Sequence, residues 1–350
     1  MTEQRAMLAD SSDRLFGELM LSSIPAPAGS DFSTPWRRIE DLGLLNLFQS
    51  ESAGGFDGSW ADAEVVFALL GLHGLPMPVG ETIIARKFLG EASLNSPSGI
   101  ITLAICPRMT LDTNAEGSVQ FSGSLAGVPW GARSQYVLVA CCVDGRDHLV
   151  LLSSDRAVNI EKLQNEAFEP RDTMHFEHAC VEACVEFPGA RENLFAQAAF
   201  LRTSQISGAI EAILSLTLDY TSQREQFGRP LNKFQALQHQ LALLAEEAAA
   251  VKCAAMAAAL AADKGDAKFE IAAAKLRANQ AVGEATSIAH QTHGAIGFTR
   301  EHQLHRWTQR MWSWRTEFGN DRYWSNTLGK LVLAEGADKF WSNLTSRSDT

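Results

Sequence analysis

The chain has 350 residues, of which 46% are hydrophobic, and its formal net charge is −11 at pH 7. This length is too great for one small domain and suits two or three packed domains. The acidic balance argues against nucleic acid as a main partner, because binding to phosphates needs a basic surface. No apolar run reaches the roughly 18 residues that span a bilayer, so we also expect no membrane partner.

The first residues lack the cationic and then apolar order of a secretory signal. The chain has six cysteines, and Cys180 and Cys184 have no second pair at the spacing of zinc ligands. We therefore expect reduced thiols, no bound metal and a cytoplasmic location.

Residues 1–98 are predicted to form an N-terminal helical domain. Apolar side chains cluster at residues 16–21 and again at residues 63–75, as they do in helices that pack against a core. The prolines and the glycine of residues 76–80 are expected to end the second of these helices.

Residues 99–187 change character and are predicted to form a middle β domain. Short β-prone runs alternate there with Gly, Asp, Asn and Pro. This pattern is typical of a small antiparallel barrel or sandwich. The runs are Ile100 to Ile105, Val119 to Phe121, Tyr136 to Cys142, His148 to Leu152 and Val181 to Phe187.

Residues 188–350 are predicted to be helical again. Residues 206–217, 237–251 and 267–290 carry apolar side chains at helical spacing, and the third segment is rich in alanine. Because alanine lets helices approach closely, these segments predict a tight four-helix bundle. The predicted fold class is therefore α+β and mainly α.

The segment from Arg224 to Leu231 reads R-E-Q-F-G-R-P-L, and Phe234 and Gln235 follow it. One explanation is structural: a helix C-terminus at which an arginine faces the helix dipole and Gly228 caps the end. The other is functional. An arginine at a helix end can neutralise a phosphate with a planar, two-pronged contact.

Residues 291–298 read Q-T-H-G-A-I-G-F. A turn of small residues can simply end a helix, but it also lets backbone N–H groups approach an anion closely. His290 and His293 flank the turn, and a single histidine at such a place is more often structural than catalytic. Together with the arginine segment, the turn suggests a dinucleotide lying across adjacent helices of the bundle.

These two segments closely resemble the C-terminal half of the acyl-CoA dehydrogenase family, which carries R-x-x-F-G-x-x-[LI] with a later Q, and then Q-x-x-G-G-x-G-[FY]. The order of helical, β and helical parts is also the order in the family. The resemblance implies an N-terminal helical domain, a middle β-barrel and a C-terminal four-helix bundle. It further implies an FAD-dependent oxidoreductase that desaturates an acyl-CoA thioester and passes electrons to an electron-transfer flavoprotein.

The resemblance assigns cofactor roles to the arginine segment. Arg224 is expected to contact the pyrophosphate of an FAD that the neighbouring subunit mainly holds. Gln226 lies where the family has a small hydroxyl or amide side chain at the same cofactor. Phe227 is expected to line the flavin site, and Gln235 to bind near the adenine or ribose.

The resemblance assigns further cofactor roles to Gln291, Gly294 and Trp130. Gln291 and Gly294 belong to the turn at the pyrophosphate, where Ala295 replaces the second glycine of the family. Trp130 corresponds to a tryptophan that shields the isoalloxazine ring and excludes water. The alternative for Trp130 is a half-buried residue in a turn.

Two parts of the family pattern do not match. Residues 107–117 lack the loop T-E-x-x-x-G-S-D that helps to hold flavin and substrate. The glutamate of Y-E-G-T, the usual catalytic base, is replaced by Phe318, and Glu317 is displaced by one residue. One helical step rotates a side chain by about 100°. The family's other position for the base falls at Ala198 or Ala199, and neither can accept a proton.

Residues 306–324 are dense in arginine and tryptophan. They fit a packed helix with a solvated basic side, or else a subunit interface or a wall for a bulky substrate. Together with the short length and the altered turn, they resemble the small subunits of heteromeric acyl-CoA dehydrogenases of bacterial sterol and steroid side-chain breakdown. There two unlike subunits share one flavin site, which implies an α2β2 heterotetramer.

Three hypotheses follow. In the first, the chain is a dehydrogenase subunit whose unlike partner supplies the base and much of the FAD pocket. In the second, it is a self-sufficient dehydrogenase, as a homo-oligomer, with Glu317 as the base. In the third, it is a non-catalytic structural or regulatory paralogue of the same fold. A flavin monooxygenase or oxidase of this fold is a weaker alternative.

Overall fold

The computed structural model describes residues 2–22 and 33–348, in which helices at both ends of the chain flank two small sheets. This arrangement confirms the predicted fold class and the order of its parts. None of the described helices is both long enough and apolar enough to cross a membrane. The helices are α1 (Glu3–Ser22), α2 (Ser33–Asp41), α3 (Trp60–His73), α4 (Val79–Glu91), α5 (Ala190–Gln223), α6 (Gln235–Asp263), α7 (Lys268–His293), α8 (His305–Thr316), α9 (Asp321–Glu335) and α10 (Phe340–Ser348).

The strands form two four-stranded sheets and one short hairpin. The strands are β1 (Ile101–Cys106), β2 (Leu111–Thr113), β3 (Val119–Pro129), β4 (Tyr136–Val143), β5 (Arg146–Ser153), β6 (Ala157–Glu161), β7 (Arg171–Cys180), β8 (Ala183–Glu186), β9 (Glu225–Gln226) and β10 (Arg229–Pro230). The sheets have the orders β1-β4-β5-β8 and β2-β3-β7-β6, and their facing sides enclose an apolar core.

The prediction of a purely antiparallel domain is wrong for one strand pair. β1 pairs with β4 in parallel, while β4 with β5 and β5 with β8 are antiparallel. Between β1 and β4 the chain crosses to the other sheet and forms β2 and β3. It therefore returns to β4 running in the direction of β1, as parallel neighbours require a crossover.

The prolines and the glycine of residues 76–80 do not end α3, contrary to the prediction. Ser59 and Asp62 form a capping box that starts α3, and Gly74 ends it with a φ of 60°. Pro78 stands just before α4, whereas Gly80 lies inside that helix. A Cβ on Gly80 would come within 2.4 Å of Leu201, so this glycine serves close packing rather than helix termination.

α3 and α5 approach each other so closely that their backbones touch. A Cβ on Gly71 would lie 1.9 Å from the carbonyl oxygen of Gln205, and a Cβ on Gly208 would lie 1.8 Å from that of Ala68. Two glycines therefore set the spacing between the N-terminal helices and the bundle. This contact positions α5, which carries Arg224 at its end.

We expect Gly208→Ala to destabilise the chain by about 3 kcal/mol, because a rigid backbone carbonyl occupies the position of the new methyl group. Gly329→Ala in α9 is the matched control: an added Cβ meets no described atom within 4 Å there. The control should raise stability by about 0.5–1 kcal/mol through helix propensity. Urea unfolding of both variants checks this, and equal effects would contradict the backbone contact.

Candidate functional site

The C-terminal ends of α5 and α7 meet, and this brings the two sequence motifs together. The hydroxyl of Tyr220 donates to the backbone carbonyl of His293 at 3.4 Å. Their rings stack with centroids 4.5 Å apart. Arg224 follows α5 directly, and Gly294 follows α7 directly. Both predicted cofactor segments therefore begin at one end of the bundle.

The arginine segment is a tight hairpin rather than a glycine-capped helix end. α5 ends at Gln223, and Arg224 is already extended, with φ −79° and ψ 119°. Phe227 and Gly228 adopt left-handed φ values of 53° and 79° between β9 and β10, as the primed hairpin turns require. Arg224, Gln226 and Phe227 are exposed, and Phe227 is 92% exposed.

The start of α6 lies beside this hairpin. Phe234 contacts the ring of Phe227 with centroids 6.1 Å apart, and the guanidinium of Arg229 lies 4.2 Å from the Phe234 ring centroid. Gln235, the first residue of α6, is exposed next to them. The start of α6 thus packs against the hairpin that follows Arg224.

The glycine turn is equally open. Gly294 has φ 63° and ψ −145°, a conformation that favours glycine, and an added Cβ would meet no described atom within 4 Å. Gln291 and Gly294 are exposed. The turn continues as the short 3₁₀ helix Gly294–Phe298, whose last residue is 74% exposed.

The groups at this end of the bundle fit the diphosphate of a dinucleotide. Arg224 supplies a guanidinium, Gln226 and Gln291 supply amides, and the Gly294 turn leaves backbone open to an anion. Within the described residues, Nε2 of His293 and Oγ1 of Thr292 are buried without a hydrogen-bond partner. Both atoms are covered by the protein, so they lie behind the open turn and not on the surface that would face a ligand.

Trp130 lies in the core of the molecule and not in either of the two cofactor segments. It is only 3% exposed and packs in the main core, with the N-terminal helices. Its backbone N–H donates to the carbonyl of Pro170 at 3.1 Å, and its carbonyl accepts from Ser134. Trp130 is therefore more deeply buried than the half-buried alternative predicted, and its contact with a flavin stays a prediction.

Glu317 lies in a chain of alternating charges inside the molecule. Its Oε2 accepts from Arg202 at 2.7 Å, and its Oε1 pairs with Arg171 at 2.7 Å. Arg202 also pairs with Glu81 at 2.7 Å. The chain of charges continues from Arg171 to Glu169 at 3.5 Å, and from Glu169 to Arg310 at 2.8 Å.

This charge chain connects the N-terminal helices, the β domain and the bundle. Glu81 belongs to α4, Arg171 to β7 and Arg202 to α5. Arg202 is 2% exposed, and burial would lower its pKa, but the carboxylates of Glu81 and Glu317 raise it above the ordinary value. The six charges sum to zero, which is how buried ions become tolerable.

The same contacts make Glu317 a poor base. Burial by itself would raise the pKa of Glu317, but the charges of Arg171 and Arg202 and the hydrogen bonds from Arg202 and Asn165 lower it to about 2. A general base acts best with a pKa near the working pH. The structure therefore opposes the prediction that Glu317 removes the substrate proton, and it gives Glu317 a structural role.

A buried lysine holds the turn that carries Glu317. Lys275 is fully buried, and its ammonium donates to the carbonyls of Trp314 and Arg315 at 2.8 and 3.2 Å, at the end of α8. Burial lowers the pKa of Lys275 to about 7. The neighbouring Asn279 donates to the carbonyl of Gly319 at 3.4 Å. α7 thus fixes the turn from the bundle side.

Phe318, at the position of the family's base, contributes no proton acceptor. It has a left-handed φ of 53°, and its ring lies 6.1 Å from Phe195 and 5.7 Å from the guanidinium of Arg202. Ala198 and Ala199, the other family position, are fully buried. Neither place in this chain holds a base.

The stretch rich in arginine and tryptophan is largely a packed element. Trp314 and Trp324 are 2% and 3% exposed, and Nε1 of Trp307 donates to the Leu72 carbonyl at 2.9 Å. Trp312 is 43% exposed. The first of the two interpretations therefore describes most of this stretch.

Sequence reasoning missed the charged residues that matter inside the molecule. Glu81, Arg202 and Lys275 each stand among apolar residues of a helix. A charged residue on an apolar helical face is a signal for a buried ion pair, because an unpaired charge there is costly. The sequence carried that signal but could not show which residues would meet.

Comparisons with known proteins show what the sequence and the fold are similar to. The family model described as "Acyl-CoA dehydrogenase, C-terminal domain" matches residues 188–333. Among curated proteins, the chain is similar to the acyl-CoA dehydrogenase IpdE2 of Mycobacterium tuberculosis. The identity is 28% over 317 residues, which cover 88% of this chain and 91% of the relative.

Solved structures show the same fold. The chain is similar to one in the crystal structure of the ChsE4–ChsE5 complex from Mycobacterium tuberculosis, with a TM-score of 0.84 and 21% identity over 96% of this chain and 98% of that chain. It is also similar to one in the Tcur3481–Tcur3483 steroid ACAD. There the TM-score is 0.85 and the identity 24%, over 96% of this chain and 99% of that chain.

We expect the ion pairs of Glu317 to make the chain sensitive to acid. The folded-state pKa of about 2 lies below the ordinary value of 4.5, so the stabilisation is complete above pH 4.5 and is lost as the pH falls toward 2. The whole effect is about 3 kcal/mol. Urea unfolding of the wild type and of Glu317→Gln should give a stability difference that shrinks from about pH 7 to about pH 3. A difference independent of pH would contradict this.

Proposed function

We propose that this chain, a member of the acyl-CoA dehydrogenase family and therefore an oxidoreductase that acts on acyl-CoA thioesters, is one subunit of a heteromeric enzyme. An unlike partner holds most of the FAD and supplies the base. This chain binds the FAD diphosphate across the subunit interface. FAD, when bound, supplies the hydride acceptor for desaturation of the α,β bond.

A single observation carries the proposal: the groups suited to a cofactor are exposed, whereas the carboxylate nearest to the family's base position is held in ion pairs. Arg224, Gln226 and Gln291 are exposed at the end of the bundle, where another chain can contact them. Glu317 is held by two arginines inside the molecule. A non-catalytic paralogue would not need exposed groups that suit a cofactor. A self-sufficient dehydrogenase would need a base that is free to accept a proton.

The partner and substrate class rest on the relatives. One similar structure is a complex of two named chains, ChsE4 and ChsE5, and another is described as a steroid ACAD. These names support an assembly of unlike subunits, for which we propose the composition α2β2, and a bulky, steroid-like acyl group. The family implies an electron-transfer flavoprotein as the acceptor of the electrons.

The chain purified alone should be colourless or weakly yellow and inactive, and the assembly isolated with its partner from the native host should be yellow and active. In that assembly, Arg224→Gln should weaken FAD binding by about tenfold or more, because it removes a charged hydrogen bond to phosphate. Arg229→Gln is the matched control, since that guanidinium is stacked on Phe234.

Visible flavin absorbance and equilibrium titration with FAD provide the measurements. A bright yellow, fully active homo-oligomer would refute the heteromeric proposal. An assembly free of flavin under all conditions would instead favour the non-catalytic paralogue. Equal losses in Arg224→Gln and Arg229→Gln would point to general electrostatics rather than to a contact made by Arg224.

Glu317→Gln should leave turnover per bound flavin nearly unchanged, because the base belongs to the partner. Glu81→Gln is the matched control, since Glu81 binds the same guanidinium of Arg202 from another helix. If Glu317 were the base, its replacement would lower turnover by at least about 100-fold, while the control would stay active. Steady-state kinetics of both folded variants, normalised to flavin content, separates the two cases.

A further inference from the structure

We infer that Tyr220 is a positioning residue that sets the spacing between Arg224 and the Gly294 turn, so that both can reach one diphosphate. The inference rests on the proposed function, because it concerns the same cofactor. It adds a residue to which neither the motifs nor the relatives assign a role. Tyr220 itself need not touch the ligand.

On the side of α5, Tyr220 is joined to the arginine segment through the backbone. The N–H of Arg224 donates to the carbonyl of Tyr220 at 2.9 Å and makes the last hydrogen bond of the helix. The N–H of Leu231 then donates to the carbonyl of Arg224 at 2.9 Å and closes the hairpin. The position of Tyr220 therefore fixes the backbone position from which the side chain of Arg224 extends.

On the side of α7, Tyr220 is joined to the glycine turn through its side chain. Its hydroxyl donates to the His293 carbonyl at 3.4 Å, and the two rings stack with an interplanar angle of 27°. The ring of His302 lies 4.6 Å from that of His293. Because His293 immediately precedes Gly294, this contact determines where the turn begins.

The orientation of the His293 ring is itself fixed. Nδ1 of His293 lies 2.8 Å from the carbonyl of Ala289, so this nitrogen carries the proton and donates it. His293 is 3% exposed, and its ring is neutral because burial lowers its pKa. The stack with Tyr220 is therefore a contact between uncharged rings, and Arg224 is left to supply the positive charge.

The rest of the contact between α5 and α7 consists of small and aliphatic side chains. These side chains pack by dispersion contacts and form no directed bonds. A directed hydrogen bond together with a stacked pair of rings is more specific. The residues of this apolar contact are Ile206, Ala209, Ile210, Ile213, Ala278, Ala281, Ala285 and Ala289.

Two variants of Tyr220 separate its contacts. Tyr220→Phe keeps the stacked ring and loses the hydroxyl, and Tyr220→Leu loses both. In the flavin-bearing assembly, we expect Tyr220→Leu to weaken FAD binding by about tenfold, and Tyr220→Phe by about threefold. Tyr136→Phe, in β4, is the matched control and should leave FAD affinity unchanged.

A double-mutant cycle distinguishes positioning from general damage. If Tyr220 acts by placing Arg224, then Arg224→Gln should cost less than about threefold in the Tyr220→Leu background, although it costs about tenfold alone. Titration with FAD gives the affinities, and the melting temperature of each flavin-free assembly reports folding. Should Tyr220→Leu fail to fold, the cycle with Tyr220→Phe decides the question.

The outcomes separate the inference from the proposed function. If the wild-type assembly binds no FAD, or Arg224→Gln binds it normally, the proposed function fails and the inference fails with it. If Arg224→Gln weakens binding while the Tyr220 variants bind normally, or the losses are additive, then only the inference is overturned. Coupled losses in a folded assembly support it.

Discussion

The charge chain, whose six charges sum to zero, joins the three parts of the fold in the interior of this molecule. It alternates carboxylates and guanidiniums from Glu81 through Arg202, Glu317, Arg171 and Glu169 to Arg310. Each charge is stabilised by an opposite neighbour, and removing one member would leave its partners buried and uncompensated. Because this charge chain includes residues of the N-terminal helices, the β domain and the bundle, the placement of these three parts relative to one another depends on it.

That constraint shapes the proposed chemistry. The carboxylate nearest to the family's catalytic glutamate is bound by two arginines, and its pKa of about 2 makes it a poor base. Lys275 and Asn279 hold the same turn from α7. The proposed function therefore places the role of this chain at the end of the bundle. An exposed guanidinium and an open glycine turn there are suited to a cofactor brought by another subunit.

The accuracy of the sequence predictions depended on whether a feature was local. The R-E-Q-F-G segment and the glycine turn were recognisable because hairpins and helix ends need particular residues at particular φ values, as Gly228 and Gly294 illustrate. The deep burial of Trp130 could not be predicted, because burial depends on residues far away in the chain. The parallel pairing of β1 with β4 was missed for a similar reason, since it depends on a crossover through the second sheet.

The sequence alone determined the order of helical and β parts and indicated the two segments that are predicted to bind a cofactor, because periodicity and turn chemistry act between near neighbours. Only the tertiary structure decided that Tyr220 touches His293 and that Glu317 lies between Arg171 and Arg202. Such contacts depend on how elements that are far apart in the chain pack against each other. A residue's type limits the contacts it can make, but the fold selects the partner and with it the role.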